Sequence, residues 1–299
     1  MPECSDQLSS ECGPFTKQGD FMGLRINTNV ASLEAQKNLK AKTSEQREEY
    51  AKLSSGKRIN KSADDAAGLA ISTNLKAQNR GYSQARRNAG DGISMIQVAE
   101  GALSETGSIL TRMRELAIQS SSDTVGDKEK GYLDKEYQQL LSEVERISQT
   151  TEFNGIKLLN GENKQGELDF QVGLHSDENS TIKWNSNEAV ATSKSLGIRS
   201  TEVGSKKGAR NSLASLDDAM DKVSKYRAEM GAMQSRLQTT VNNLDNVIVN
   251  QESARSIIED VDIAESTAKL ASINVNANAG MSVLAQANAT PASAARLIG

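Results

Sequence analysis

The residues of this chain whose types and spacing are suited to chemistry lie in one short stretch, LSSGKRINKSADDAAGLAI, which starts at Leu53. A glycine precedes Lys57 and Arg58, and a pair of carboxylates follows at Asp64 and Asp65. Cations beside a glycine suit phosphate binding, and paired carboxylates suit a divalent metal or proton transfer. One hypothesis is therefore an enzyme that uses this loop as a metal or phosphate site.

Residues 56–65 lack the further groups that either kind of site needs. A phosphate loop of the GxxxxGK[ST] type has a glycine five positions earlier and a serine or threonine after the lysine, where this chain has Arg58. Neighbouring residues of a helix point about 100° apart, so adjacent aspartates do not converge on one ion. SADD instead predicts a helix start, with Ser62 as the N-cap and Asp64 and Asp65 in the first turn. The alternative to the enzyme is a joint, in which Arg58, Asp64 and Asp65 pair within the chain or with a neighbouring copy.

The other reactive side chains do not form a catalytic set. His175, the only imidazole, lies in a predicted turn, with no nucleophile or orienting partner near it in the sequence. Cys4 and Cys12 are able to form a small disulfide, but one histidine is too few to complete a zinc site with them. We therefore predict no catalytic residue, no metal site and no cofactor.

The composition indicates a helical protein that offers no surface to nucleic acid. Only 3% of the 299 residues are aromatic and three are proline, as expected of long helices that pack through small side chains. The formal net charge is -4 and cations do not cluster with aromatics, so nucleic acid is not an expected partner. Membrane insertion is not expected either, because no apolar run approaches roughly 18 residues.

Two long stretches follow the heptad spacing of a coiled coil. The first continues for about six heptads, and many of its seam positions are alanine or glycine, which lets a partner helix come close. The second extends from Gly208 to Ile258, which corresponds to about 75 Å at the rise of an α-helix. We expect the two to pair as antiparallel helices. The seam of the first comprises Leu75, Gln78, Tyr82, Ala85, Ala89, Gly92, Ile96, Ala99, Leu103, Thr106, Leu110, Met113 and Ala117, and that of the second Leu216, Met220, Val223, Met230, Leu237, Val241, Leu244 and Ile248.

Between these two stretches the apolar residues no longer follow heptad spacing and instead alternate as in a β-strand. Residues 153–173 contain two Asn-Gly pairs and the alternation Leu168, Phe170 and Val172, and residues 181–184 are a candidate partner strand for a hairpin. The fold class predicted is mainly α, with long antiparallel coiled-coil helices from both chain ends and a small β-hairpin region in the middle.

The last stretch, residues 270–299, carries a single charge, Arg296, and is rich in alanine and asparagine. A nearly neutral helix at a chain end has little to bury within one molecule. We therefore expect it to be buried against other copies of the chain.

Six short segments are similar in sequence to segments of one protein family. They are MGLRINTN from Met22, LSSGKRINKSADDAAGLAI from Leu53, TRMRELAIQS from Thr111, TEFNGIKLLNG from Thr151, ARSIIEDVDIA from Ala254 and SVLAQAN from Ser282. In this order they resemble bacterial flagellin, the subunit of the flagellar filament. Residues 153–208 leave room only for the hairpin and loops, so the chain resembles a minimal flagellin without large outer domains.

The resemblance implies a layered organisation. Residues 22–60 and 262–299 would form a terminal helical inner-core domain that lines the filament channel. Residues 61–261 would form the surrounding rod domain of long helices, with its β-hairpin region at about 152–205.

The resemblance also implies a function, a location and partners. The chain would be a structural subunit that polymerises into the filament for swimming motility, exported without a cleaved signal peptide and located outside the cell. Its partners would be other flagellin subunits, a flagellar export chaperone, the filament cap and hook-associated proteins. Terminal segments that are not satisfied in one molecule would order on assembly.

In many flagellins the rod helices bind a vertebrate Toll-like receptor, and the resemblance carries that contact to four residues of this chain. They are Arg112, Leu116, Gln119 and Glu136. The alternative is that Leu116 packs in the core and the other three lie on a face that is hidden in the filament.

Two segments depart from the family pattern. Residues 1–21 have no counterpart, and both a real leader and a chain that starts at Met22 remain open. SINVNANAG, residues 272–280, replaces a stretch that usually ends in LQQAG. Asn276 and Asn278 lower helix propensity there by up to about 0.7 kcal/mol each relative to alanine, which predicts a different packing of the inner layer or a role as one of several filament subunits.

Three alternatives to the filament subunit remain at this point. The hook-filament junction protein shares the terminal helices, although the LSSGKRIN and SVLAQAN wording favours flagellin. A monomeric coiled-coil adaptor would explain the seams without assembly. The enzyme that uses residues 56–65 would explain the charged loop.

Overall fold

In the computed structural model of the chain, residues 28–161, 163 and 166–298 are described, with side chains as far as residue 290. The hypotheses on residues 1–21, Cys4 and Cys12 therefore lie outside the described residues. The helices are α1 (Val30–Ser55), α2 (Ala66–Ser121), α3 (Asp127–Thr150), α4 (Ser193–Leu196), α5 (Lys206–Glu259) and α6 (Ile263–Ile298); the strands are β1 (Glu152–Phe153), β2 (Ile156–Lys157), β3 (Glu167–Gln171) and β4 (Thr181–Asn185).

The chain divides into two compact units. The terminal unit comprises residues up to Asp64 and from Asp260 onward, and in it α1 packs against α6. The rod unit comprises Asp65–Glu259, and in it α2 packs along α5 while α3, β1 and β3 pack on α2. The predicted fold class, mainly α with antiparallel long helices and a small hairpin region, is confirmed. No helix among the described residues combines the length and the apolar character that crossing a lipid bilayer requires.

The α2–α5 pair carries the core of the rod unit. Every predicted seam residue of α2 from Ala85 to Ala117 is buried, and Leu103, Leu110 and Met113 have no exposed surface. Near the start of α2 the seam differs from the prediction, because Gln78 and Tyr82 are only half-buried whereas Asn79 is 4% exposed. Ser72 and Asn79, which are seven residues apart, take the buried positions there.

Two antiparallel hairpins follow α3. The tight turn between β1 and β2 is made by Asn154 and Gly155, whose φ angles of 50° and 79° are those of an Asn-Gly hairpin turn. In the β3–β4 hairpin Leu168 lies opposite Trp184 and Phe170 opposite Ile182, so the hairpin expected from the alternation is confirmed.

The β3–β4 hairpin packs on α2 at a glycine of the seam. A Cβ atom at Gly92 would lie only 3.0 Å from the Phe170 ring, so the absence of a side chain makes room for the aromatic ring. The small seam residue thus admits the hairpin as well as the partner helix.

The start of α2 differs from the prediction of Ser62 as its N-cap, which is wrong. The N-cap is Asp65, whose Oδ1 accepts a hydrogen bond of 2.8 Å from the Gly68 amide. Asp64 lies before the helix, because its carboxylate is already engaged by the backbone of the preceding turn.

Candidate functional site

The loop between α1 and α2 uses its carboxylates to hold the backbone. Oδ2 of Asp64 accepts hydrogen bonds of 2.9 Å from the amides of both Asn60 and Lys61. These two donors lower the pKa of Asp64 from its ordinary value, because they favour the charged form. Since Asp65 caps α2 in the same way, both aspartates have structural roles, and the geometry favours a joint over a catalytic loop.

Further contacts tie this loop to the beginning of α6 within the terminal unit. Gly56 ends α1 in the left-handed conformation with a φ of 71°, and its carbonyl accepts a hydrogen bond of 3.1 Å from the Val261 amide. Lys57 forms an antiparallel backbone bridge with Asp260. The conformation of Gly56 therefore brings the chain back alongside α6.

Two of the three predicted joint residues, Arg58 and Asp64, line the same open cavity of about 520 Å³ in the terminal unit. Asp65 belongs to the rod unit and is not among the lining residues. Glu49 and Lys269 also line the cavity, so charges of both signs surround it.

Glu49 is the buried charge that links the two terminal helices. It is 3% exposed, and its carboxylate pairs with Lys52 of α1 at 3.0 Å and with Lys269 of α6 at 2.8 Å. Burial alone would raise the pKa of Glu49, but the hydrogen bonds from Lys269 and Lys52 outweigh it and hold that pKa below its ordinary value. Sequence reasoning missed this residue, because an apolar pattern does not predict a buried carboxylate whose partner lies 220 positions away.

Several other contacts between α1 and α6 are also polar. Ser32 donates to Asn288 at 2.7 Å, Gln46 donates to Asn274 at 2.6 Å, and Asn29 donates to the Ala287 carbonyl. Large apolar side chains of the same helices lie on the outside, and together we call them the terminal apolar surface. They are Val30, Leu33, Tyr50, Ile263, Val275, Met281 and Val283, each at least 47% exposed.

The four residues suggested as receptor contacts lie in the rod unit, on α2 and α3, but they differ in accessibility. Arg112 donates to Glu136 at 2.9 Å and to Glu115 at 3.0 Å, and the hydrogen bond to Glu136 is the main cause that raises the pKa of its guanidinium. Arg112, Gln119 and Glu136 are exposed, whereas Leu116 is 1% exposed and belongs to the core. Three of the four are therefore available to a partner through their side chains.

The single histidine lies on the surface of the loop between β3 and β4. His175 is exposed, and its carbonyl accepts a hydrogen bond of 2.7 Å from Gln171. Across the part of the chain that the structure describes, no three His, Cys, Asp or Glu side chains converge as metal ligands would.

The comparisons with known proteins point to one family. The family model for the bacterial flagellin N-terminal helical region matches residues 26–164, and that for the C-terminal helical region matches residues 213–298. The chain belongs to the flagellin family. The matched regions include α1, α2 and α3 at one end and almost all of α5 and α6 at the other.

Curated flagellins resemble the chain over nearly their whole length. The flagellin of Halalkalibacterium halodurans is 40% identical over 91% of this chain and 99% of its own. That of Bacillus subtilis is 37% identical over 92% and 100%, and the flagellar filament 31.3 kDa core protein of Treponema maltophilum is 37% identical over 89% and 96%. Among solved structures, Bacillus cereus flagellin shares 31% identity over 53% of this chain and 88% of that chain, with a TM-score of 0.47.

Proposed function

We propose that this flagellin polymerises into a bacterial flagellar filament outside the cell, and that its terminal unit forms the inner layer of that filament. The observation that carries the proposal is the terminal apolar surface. Side chains such as Leu33, Val275 and Val283 are more than half exposed, on helices that are joined in part by hydrogen bonds. Each large apolar side chain gains about 1.5–3 kcal/mol when it is removed from water, so repeated copies packed through this surface would be stabilised.

The rod unit would then surround the inner layer. Its helices bury their apolar seams within the chain, so the rod unit does not depend on neighbours for its core. Residues 22–60 and 262–299 as the inner layer and residues 61–261 as the rod are the boundaries that we propose. Arg58, Asp64 and Asp65 lie at or near these boundaries, and Arg58 has its side chain at an open cavity where a charge of a neighbouring copy is able to reach it.

Assembly of purified protein tests the proposal. The chain starting at Met22 should form filaments that are visible by electron microscopy when it is seeded or salted out, and the variant that lacks residues 270–299 should not. The full chain from Met1 is the matched control for the effect of residues 1–21. Filaments that form equally well without residues 270–299 would contradict the assignment of the terminal unit to subunit contacts.

The partners implied by the family are part of the same proposal. An export chaperone, the filament cap and hook-associated proteins would meet the terminal apolar surface, because large exposed apolar side chains are what a partner protein buries. Co-purification of each candidate with the full chain, compared with the variant that lacks residues 270–299, tests each contact. Equal recovery with both chains would contradict it.

We propose a Toll-like receptor of vertebrates as a second partner, through Arg112, Gln119 and Glu136. The exposed Arg112–Glu136 pair supports the proposal, because it places a cation and an anion of two different helices side by side on the surface. Leu116 would act only by packing beneath them. In a receptor reporter-cell assay Arg112→Ala should lower potency at least about tenfold, as the loss of a charge-assisted contact predicts. Arg236→Ala, which removes an exposed arginine from a distant part of α5, is the control and should not lower it.

A further inference from the structure

A cavity of about 390 Å³ lies beside the α2–α5 pair in the rod unit, and neither the joint residues nor the suggested receptor contacts line it. We call it the basic cavity. The cations outnumber the carboxylates four to one in its lining. It is lined by Lys76, Asn79, Arg80, Ser83, Arg87, Glu252 and Arg255.

The charges of the basic cavity are not balanced by its own surroundings. Arg255 is paired with Glu252 at 2.9 Å and lies 3.6 Å from Glu259. Arg87 donates only to the neutral side chain of Gln84. Within the described part of the chain, Lys76 and Arg80 form no hydrogen bond and no ion pair. Among the described residues, three exposed cations therefore line one space whose single carboxylate, Glu252, is already paired with Arg255.

The buried side chain of Asn79 also points to a ligand in the basic cavity. Its side chain lines the cavity, is 4% exposed, and leaves both Nδ2 and Oδ1 without a hydrogen-bond partner. A buried polar group in a native protein is nearly always paired, so an amide with neither atom satisfied indicates a group that is absent from the isolated chain. An apolar residue would fill the same seam position without that penalty.

Most of the α2 residues that line the cavity share one face of that helix. Lys76, Asn79, Ser83 and Arg87 recur at intervals of three and four residues, and therefore lie along one face of α2. Nδ2 of Asn79 and the hydroxyl of Ser83 are hydrogen-bond donors, and the guanidinium groups of Arg80 and Arg87 are suited to two parallel hydrogen bonds with an oxyanion.

We propose that the basic cavity binds an oxyanion, with the Asn79 amide as a buried donor and Lys76, Arg80 and Arg87 as the counter-charges. Binding of a free oxyanion is independent of the proposed function, whereas binding of a carboxylate on a second copy rests on it. The oxyanion is either free in solution, as inorganic phosphate is, or a carboxylate on a second copy of this chain. On the rod unit Asp218 and Asp221 are exposed at a spacing of three residues on α5, and they are suited to supply that carboxylate.

Titration of the full chain with inorganic phosphate tests the free source. Phosphate, but not chloride at matched ionic strength, should shift the side-chain amide resonances of Asn79 in a saturable manner. Asn79→Leu and Arg80→Gln should each weaken phosphate binding about tenfold, the loss expected for one charge-assisted hydrogen bond. Arg210→Gln, which removes an equal charge about 65 Å away along α5, is the matched control and should change binding less than twofold.

Assembly tests the second source. If phosphate does not bind the dissociated chain, the oxyanion would be a carboxylate of a second copy. Arg80→Gln should then raise the critical concentration for filament formation several-fold, and so should the double variant Asp218→Asn with Asp221→Asn. Arg210→Gln should leave the critical concentration unchanged. The proposal is overturned if phosphate and chloride act alike and if these variants also assemble as the parent does. Loss of binding in Asn79→Leu cannot be assigned to misfolding if its thermal midpoint is at least that of the parent chain, which is the expected result because leucine removes an unpaired buried amide.

Discussion

The two units of this flagellin are built from the same element, a pair of long antiparallel helices, but they distribute polarity in opposite ways. In the rod unit, Leu103, Leu110 and Leu237 lie fully buried between α2 and α5. In the terminal unit, hydrogen bonds and the Glu49 ion pairs join α1 to α6, and large apolar side chains such as Val275 lie outside.

This difference teaches what each unit needs for its stability. A helix pair with a buried apolar seam gains most of its stability from burial inside one molecule. A helix pair joined by polar contacts gains less, because each such hydrogen bond contributes only about 0.5–1.5 kcal/mol net. The terminal unit therefore has less to gain from burial within one molecule than the rod unit has.

Truncation of the rod seam should have the largest effect on the isolated chain. Leu103→Ala removes a side chain with no exposed surface from the seam of α2, and we expect it to lower the free energy of unfolding by about 2–5 kcal/mol. Urea unfolding of the monomer, followed by circular dichroism, measures the change. A loss below about 1 kcal/mol would show that the seam is not the main source of the rod's stability.

The seam of α2 that contains Leu103 was predictable from the sequence, because its residues follow heptad spacing. Most of these residues are buried, as expected. The β3–β4 hairpin was equally predictable from alternation and turn signals. Three features were not. Apolar periodicity carries no signal for Glu49 or for the Ser32–Asn288 contact, since both are polar interactions between distant positions. Helix-start rules offered Ser62 as readily as Asp65, and the turn contacts of Asp64 decided between them.

A smaller effect is expected where the hairpin meets the rod seam. At Gly92 an added methyl group would lie 3.0 Å from Phe170, so Gly92→Ala should destabilise the rod by about 1–3 kcal/mol through overpacking. Gly90→Ala is the matched control on the same helix, because nothing lies within 4 Å of the added methyl group. It should stabilise the rod by up to about 1 kcal/mol, since alanine favours helix. Similar shifts of the thermal midpoint in both variants would rule out the close approach of Phe170.

In the terminal unit, the corresponding test is of a charge. Glu49→Gln removes the carboxylate that Lys52 and Lys269 share. We expect the local stability of α1 to fall by about 1–2 kcal/mol near neutral pH. The expected loss is no larger because Lys269 is largely exposed, and water weakens its attraction to Glu49. Hydrogen exchange of α1, corrected for the intrinsic rate at each pH, reports this local stability. The same variant should leave exchange in α2 unchanged.

The effect of Glu49→Gln should depend on pH in a defined direction. The folded-state pKa of Glu49 lies below its ordinary value of 4.5, so the carboxylate contributes its full stability above about pH 5 and loses it as the pH falls through the lowered pKa. The difference between the parent chain and the variant should therefore be constant near neutrality and shrink below pH 4.5. A difference that grows on acidification would show that Glu49 is stabilised in its protonated form.

Substitutions at the terminal apolar surface should have the smallest effect on the stability of the isolated chain. Their effect on assembly of the polymer should be large. Val275 is 67% exposed, so Val275→Ser should change the unfolding free energy of the monomer by less than about 0.5 kcal/mol. If neighbours cover this side chain in the filament, each subunit loses about 1.5 kcal/mol of burial, and the critical concentration for assembly rises about tenfold. Asn278→Ser, which replaces one exposed polar residue of α6 with another, is the control and should assemble as the parent chain does. Equal critical concentrations for Val275→Ser and the parent chain would place the covered face of α6 elsewhere, whereas a destabilised monomer would show that Val275 already packs within one molecule.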